Sequence, residues 1–291
     1  MPLLDKSLVQ MAHQLLQGGY DLHMHAAPSP FNRLMDDFAL LEDAGRAGMG
    51  GIMLKSHYEP TAARAAIANA HCNSKAVAYG AVVLNCPVGG LNPYAVENAL
   101  KRDGKIIWMP TRDAKNSLHT GDMPGDFFSR EGITVLDEKG ELKPEVLELM
   151  DIVKKYDAAL ATGHLSPEES VLLCREGVGK GIRMVLTHPE FERTAVAPAV
   201  QKELADEGVY IEKCWYNIAE GDCTAEEMAK HIRFIGAEHC FLSTDRGQKG
   251  RETPVEAMCL FICALIEQGI TQEEVSVMLR DNPRRILGLL P

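Results

Sequence analysis

Short apolar runs bounded by glycine or polar residues alternate along the chain with longer stretches whose apolar positions recur at helical spacing. Residues 1–18 predict a helix, with Leu4, Leu8, Met11 and Leu15 on one face. Gly19-Tyr20-Asp21-Leu22-His23-Met24-His25 predicts a first strand, because glycines precede it and Ala26-Ala27-Pro28-Ser29-Pro30 follows as a loop. Further strands are expected over 50–57, 76–85, 105–111, 158–164, 182–188, 209–215 and 240–245. Helices are expected over 35–45, 60–72, 92–104, 144–156, 167–180, 197–208, 224–236 and 254–269, with two helical pieces, 271–280 and 282–289, closing the chain. Asn92-Pro93 gives one of these helices a capping residue followed by proline at its first position. Only 112–143 breaks the rhythm. It is polar, carries Gly121, Pro124 and Gly125, and contains a hairpin-like 133–142. An insertion of this size is more often functional than idle, and a lid is the expectation.

Eight strands, each followed by a helical segment and with no linker between halves, predict a single α/β domain spanning 1–291. Its fold is a (β/α)8 TIM barrel with the 112–143 insertion after strand four and extra C-terminal helices. A doubly wound open sheet is the structural alternative, but no GxGxxG follows the first strand.

The formal charge of −11, with acids and bases interspersed and no basic run, argues against nucleic acid or an anionic membrane as partner. No apolar run approaches the roughly 20 residues that span a bilayer, and the N-terminus lacks a signal-like pattern, so a cytoplasmic protein is expected. The eight cysteines are scattered without a CxxC, which predicts buried free thiols rather than disulfides or a zinc knuckle. An exposed apolar face on the N-terminal helix would allow a homo-oligomer.

In a barrel of this kind the chemistry sits at the C-terminal ends of the strands. His23 and His25 end strand one, and their i, i+2 spacing puts both imidazoles on one face of an extended chain, with Leu22 and Met24 on the other. Lys55 and His57 end strand two, Thr111 and Arg112 strand four, His164 strand five and His188 strand six. Strand seven offers Glu212, and strand eight ends in Ser243-Thr244-Asp245-Arg246. One such histidine would usually be a satisfied core or loop residue. Five of the ten histidines at one end of a barrel, joined by an aspartate, instead make the ligand set of a catalytic zinc-like or manganese-like site with open positions for water. The alternative for Asp245 is a helix N-cap. His13, His71, His231 and His239 fall in helices or their ends and are read as surface residues, while Cys86 and Glu212 are read as structural.

The HxH of strand one, Gly163-His164, His188-Pro189 and Thr244-Asp245, with the tail Asn282-Pro283-Arg284-Arg285-Ile286-Leu287-Gly288, resemble the amidohydrolase superfamily of metal-dependent hydrolases. The resemblance runs over nearly the whole chain from Asp21. It implies that His23, His25 and Asp245 bind a divalent ion, most simply zinc, with manganese or iron as substitutes. His164 and His188 would complete that site or hold a second ion. Members hydrolyse amide, ester, lactone or phosphoester bonds, and some relatives decarboxylate or hydrate carboxylated substrates. Two departures are visible. Strand four offers neither the lysine nor the glutamate that bridges paired metals in many members, and the stretch before His23 is too short for a flanking β-sandwich, as in the compact barrel-only branches.

The expected chemistry follows. Asp245 would be the base that takes the proton from attacking water, and His188 an electrostatic helper. Lys55, His57, Arg112 and Arg246 would bind a small anionic substrate, since arginine suits bidentate capture of carboxylate or phosphate. The reading is a metal-dependent hydrolase. Its alternatives are a metal-dependent lyase, a hydratase or decarboxylase, on a carboxylated substrate, and a non-catalytic metal-binding barrel.

Overall fold

Eight short parallel strands, each paired with the next in sequence, wind into a barrel: β1 Tyr20–Met24, β2 Gly51–Leu54, β3 Val77–Val83, β4 Gly104–Trp108, β5 Ala159–Ala161, β6 Arg183–Leu186, β7 Tyr210–Cys214 and β8 Cys240–Ser243. A computed structural model describes residues 5–121 and 129–290 of this fold. Just beyond β8 the ring closes, where the Asp245 N–H donates to the His23 carbonyl at 2.7 Å and the His25 N–H donates to the Arg246 carbonyl at 2.8 Å. The last rung of the barrel is therefore built by the residues at its mouth.

Helices form where the sequence supplies both an apolar stripe and a start signal. Ser166/Glu169, Thr224/Glu227, Thr253/Glu256 and Thr271/Glu274 each close a capping box, satisfying two otherwise orphaned N–H groups per helix. Thr253, and not Asp245, caps the helix Pro254–Glu267 that follows β8, so the capping alternative for Asp245 does not hold.

Two apolar layers result. Leu22, Met53, Val83, Ile106, Trp108, Val185 and Phe241 fill the barrel interior, while alternate strand residues such as Ile52, Val82, Ile107, Leu160 and Leu242 pack outward with the helices. Ile286 and Leu287 join the interior layer. Asn282, fully buried, donates through Nδ2 to the carbonyls of Ala237 and Cys240 at 2.9 and 2.6 Å. The C-terminal Asn-Pro motif thus has a structural task, fastening a plug ahead of β8.

The strands are shorter than the sequence pattern predicts because their polar ends leave the ladder. The insertion contains a helix, Lys115–Thr120, that periodicity did not announce, and its hairpin reduces to one bridge between Leu136 and Leu142. Residues 122–128 of the expected lid lie outside the described residues. The tail segment 271–280 divides into Gln272–Ser276 and a π-helical turn Val277–Asp281 before the last helix Asn282–Ile286. The eight cysteines are unpaired, and Cys174, Cys214, Cys240, Cys259 and Cys263 are buried. Among the described residues no helix is long and apolar enough to cross a membrane.

Candidate metal centre

Strict alternation in β1 would send His23 and Leu22 to opposite faces. In the structure Leu22 packs in the barrel interior and Met24 in the outer layer, so these two do not share a face as the sequence pattern implied. The register with β2 shifts between Asp21 and Met24, and this irregularity brings the His23 ring inward beside Trp108, with 6.0 Å between ring centroids. Asp21 pins the distortion. Its carboxylate accepts from the His23 N–H at 3.0 Å and from the Thr244 hydroxyl at 2.5 Å, and burial raises it to about 7. Elsewhere on the rim, His188 (φ 27°) and Asp245 (φ 50°) occupy left-handed backbone that side-chain-bearing residues seldom adopt. The alternation is broken at the positions that carry chemistry.

His23, His25 and Asp245 offer one ligand atom each within 4.8 Å of one another. The hydrogen bonds behind them decide what those atoms can do. His25 Nδ1 lies 2.9 Å from the Lys55 carbonyl, which can only accept, so Nδ1 carries the proton and Nε2 presents a lone pair. That lone pair faces Asp245 Oδ1 at 2.9 Å. Burial, with Arg33 nearby, lowers His25 to about 3, so the ring is neutral at pH 7 and the contact sets acceptor against acceptor. A cation between the two resolves it. His23 Nδ1 donates to Glu212 Oε1 at 2.7 Å, leaving Nε2 3.3 Å from the same Asp245 oxygen. Glu212 also accepts from the His188 N–H at 2.9 Å and the Ser243 hydroxyl at 2.7 Å. Burial alone would raise Glu212, yet these partners hold it down to about 2. Glu212, read from the sequence as merely structural, is the group that orients a ligand-bearing ring, the usual task of a carboxylate behind a metal-bound histidine. The chemistry of the donor set, two imidazoles and a carboxylate with their outer bonds committed, fits a divalent ion.

Lys55 does not reach the substrate side, contrary to expectation. Its ε-amine is buried with Nζ 2.7 Å from His23 Nε2 and 5.3 Å from the Trp108 ring centre. Burial lowers Lys55, whereas His23, which burial would also lower, is raised to about 9 by the Asp245 and Glu212 carboxylates. Two full cations cannot share that contact, so the amine and a metal ion compete for one lone pair. Arg246 also departs from expectation. It is fully buried, donating to Glu252 at 2.9 Å and Glu220 at 3.1 Å, and these two carboxylates hold the guanidinium away from the cavity.

His164 and His188 stand outside the three-residue group. They come from β5 and β6, across the mouth from β1, and their rings meet each other at 5.0 Å between centroids. His164 Nδ1 is buried and has no hydrogen-bond partner, an orphan that a cation or a substrate donor would satisfy. The Thr194 hydroxyl donates to the His188 carbonyl at 3.0 Å and so accepts from His188 Nδ1 at 3.1 Å, which leaves His188 Nε2 as a free lone pair. Burial lowers His164 well below its ordinary value and His188 to about 4, so both are neutral.

Above the cluster opens a cavity of about 190 Å³. The expected substrate residues His57 and Arg112 line it, together with His25, His164 and Asp245. So do Phe31, Arg33, Phe191, Tyr216 and Gln248, which no sequence pattern marked: Tyr216 lies in the short helix Trp215–Ala219 just after β7, and the others sit in loops without periodicity. Asp245, its side chain 16 % exposed, is the one member of the ligand group that solvent reaches.

Fold and site together define a (β/α)8 barrel with a metal-centre-like His/Asp cluster at the C-terminal rim of its strands. The chain belongs to the family described as a family of unknown function, DUF6282, which matches residues 18–212. No curated protein matches it in sequence. Among solved structures it is similar to an amidohydrolase from Pseudomonas aeruginosa (12 % identity, TM-score 0.63, covering 96 % of this chain and 98 % of that one). It is similar also to a probable 2-pyrone-4,6-dicarboxylic acid hydrolase from Acinetobacter baumannii, solved with citric acid bound (10 %, 0.60, 94 % and 100 %). A third is 2,6-dihydroxybenzoate decarboxylase from Rhizobium (15 %, 0.54, 94 % and 99 %). At these identities the likeness is one of fold, and the fold is the one that the sequence motifs pointed to.

Proposed function

We propose that the chain is a metal-dependent hydrolase that cleaves an amide, lactone, ester or phosphoester bond of a small anionic substrate. The observation that carries the reading is the approach of His23 Nε2, His25 Nε2 and Asp245 Oδ1, with both Nδ1 atoms already committed to other partners. A divalent ion held there, zinc by the donor set, would bring the pKa of a bound water toward about 7. Asp245, ionised and open to the cavity, accepts the proton of the attacking water. His188, neutral and with Nε2 free, supplies a second proton acceptor or a further ligand. Arg112 and His57 line the cavity that receives the substrate.

Elemental analysis of the purified protein should find one or two divalent ions per chain, removable by a chelator with loss of hydrolysis and restored by zinc. Asp245→Asn should lower turnover by about 10²- to 10⁴-fold while its circular dichroism matches wild type. Full turnover after chelation overturns the reading. A metal-dependent lyase is the second reading, favoured by the similarity in fold to a decarboxylase. Reaction in ¹⁸O-water separates hydrolysis, which cleaves the substrate and leaves the label in an organic product, from decarboxylation, which releases carbon dioxide and leaves the organic product unlabelled. Product mass separates hydration, which adds water without cleaving the substrate.

A further inference from the structure

Of the buried polar atoms without partners among the described residues, three meet at one cavity. Arg33 Nε, Gln248 Oε1 and His164 Nδ1 are all buried and unbonded, and all three side chains line the cavity over the His/Asp cluster. Buried polar groups are nearly always satisfied, so a convergence of orphans marks where a ligand's atoms belong. Arg33 carries the most information. It stands on the loop after β1, bridged through its backbone to Gln248, and no carboxylate of the described residues lies within ion-pair distance of its guanidinium. Three other buried or half-buried arginines show the contrast. Arg64 holds Asp37 and Glu59, Arg130 holds Asp113, and Arg246 holds Glu220 and Glu252.

The walls around Arg33 are flat and aromatic. Its guanidinium carbon lies 5.5 Å from the centre of the Phe31 ring, a cation–π contact that fixes the guanidinium without consuming its N–H groups. Phe191 stands edge-on to Tyr216 at 5.8 Å. A cavity of about 190 Å³ is smaller than the roughly 300 Å³ at which pockets begin to admit drug-sized ligands, so its occupant is small. A planar guanidinium with Nε free matches a carboxylate side-on through two parallel N–H···O bonds. A doubly charged phosphate is disfavoured by the Asp245 carboxylate in the same wall.

We propose that Arg33 is the carboxylate receptor of this cavity and that the substrate is a small ring acid, an aromatic or unsaturated monocarboxylate whose ring lies among Phe31, Phe191 and Tyr216. The inference rests on the hydrolase reading only in placing the reacting bond toward Asp245. The recognition itself needs Arg33 and the rings, none of which belongs to the ligand group.

Calorimetric titration tests it with benzoate, its neutral isostere benzamide, the non-planar cyclohexanecarboxylate and inorganic phosphate. Each is run against zinc-loaded and chelator-treated protein, with metal content measured on every sample. Benzoate should bind at least about tenfold more tightly than benzamide, and more tightly than cyclohexanecarboxylate or phosphate, in both forms of the protein. Arg33→Gln should bring the benzoate-to-benzamide ratio close to one, and Arg33→Lys should restore part of it, with thermal midpoints unchanged. A ratio near one in wild type, or phosphate as the tightest ligand, overturns the proposal. So does a benzoate preference that survives in Arg33→Gln but vanishes on chelation, which would place the carboxylate on the metal. If zinc fails to bind while the Arg33-dependent preference persists, the hydrolase reading falls and the receptor stands. If zinc binds and the preference is missing, the receptor alone falls.

Discussion

Two lysines are fully buried in this barrel, and they live in opposite kinds of surroundings. Lys213 points outward from β7 into the layer beneath the helices, where its ammonium donates to Glu190 at 2.6 Å and to Gln201 at 2.8 Å. Lys55, at the mouth beyond β2, has its amine 2.7 Å from an imidazole nitrogen, His23 Nε2, and has no carboxylate of the described residues within ion-pair distance. The first is an ion pair with a structural task. The second is an amine resting against a nitrogen of the ligand cluster. Burial of charge is thus not itself a sign of function; what separates the two regions is whether the cation meets a carboxylate. At the mouth Lys55 does not, and Arg33 likewise has no carboxylate of the described residues within ion-pair distance.

The comparison can be broken most sharply at Lys213. Lys213→Met leaves Glu190 buried beside only His231 and Gln201, so unfolding free energy should fall by about 3–5 kcal/mol with metal content unchanged. Chemical denaturation of the variant measures it, and a loss below about 1 kcal/mol would mean the pair is not the structural anchor described.

Glu212→Gln sits between the two regions, since Glu212 is a structural acceptor serving the ligand cluster. Its folded value of about 2 lies below the ordinary 4.5. A depressed carboxylate contributes stability that is present above pH 4.5 and lost as pH falls toward 2. Wild type should therefore lose stability more steeply than the glutamine variant across that window, while at pH 7 the variant should be weaker by about 1–3 kcal/mol. Denaturation curves at several pH values distinguish this from a simple packing defect, which would shift all curves equally.

The smallest effect is expected at Lys55. Because the amine and an ion compete for His23 Nε2, Lys55→Met should tighten zinc binding at pH 6 by about tenfold, with little change in stability. In wild type, zinc affinity should rise with pH until the His23 proton, held up to about 9, is gone. Competition with a chromogenic chelator reads both. A variant that binds zinc more weakly would make Lys55 a supporting group rather than a competitor.

Much of the barrel was legible because strand and helix periods are local: the run of eight alternating units, the His-x-His at the end of β1 and the histidines closing β5 and β6 need only a few neighbouring residues to be seen. The direction of each functional side chain was not. His23 turns inward through a register shift pinned by Asp21 and Thr244, 223 positions apart, and its Nδ1 is set by Glu212, 189 positions away. Lys55 and Arg246 read alike in sequence, as cations at strand ends. One settles on an imidazole and the other between two acids, a difference made by partners from other strands and loops. Arg33 and the aromatic loops around it carry no period at all. The sequence determined the scaffold and the inventory of ligand types, since both follow from short-range pattern. The tertiary structure decided which lone pairs converge and which cations stay unpaired, since those depend on barrel closure bringing distant strand ends into one rim.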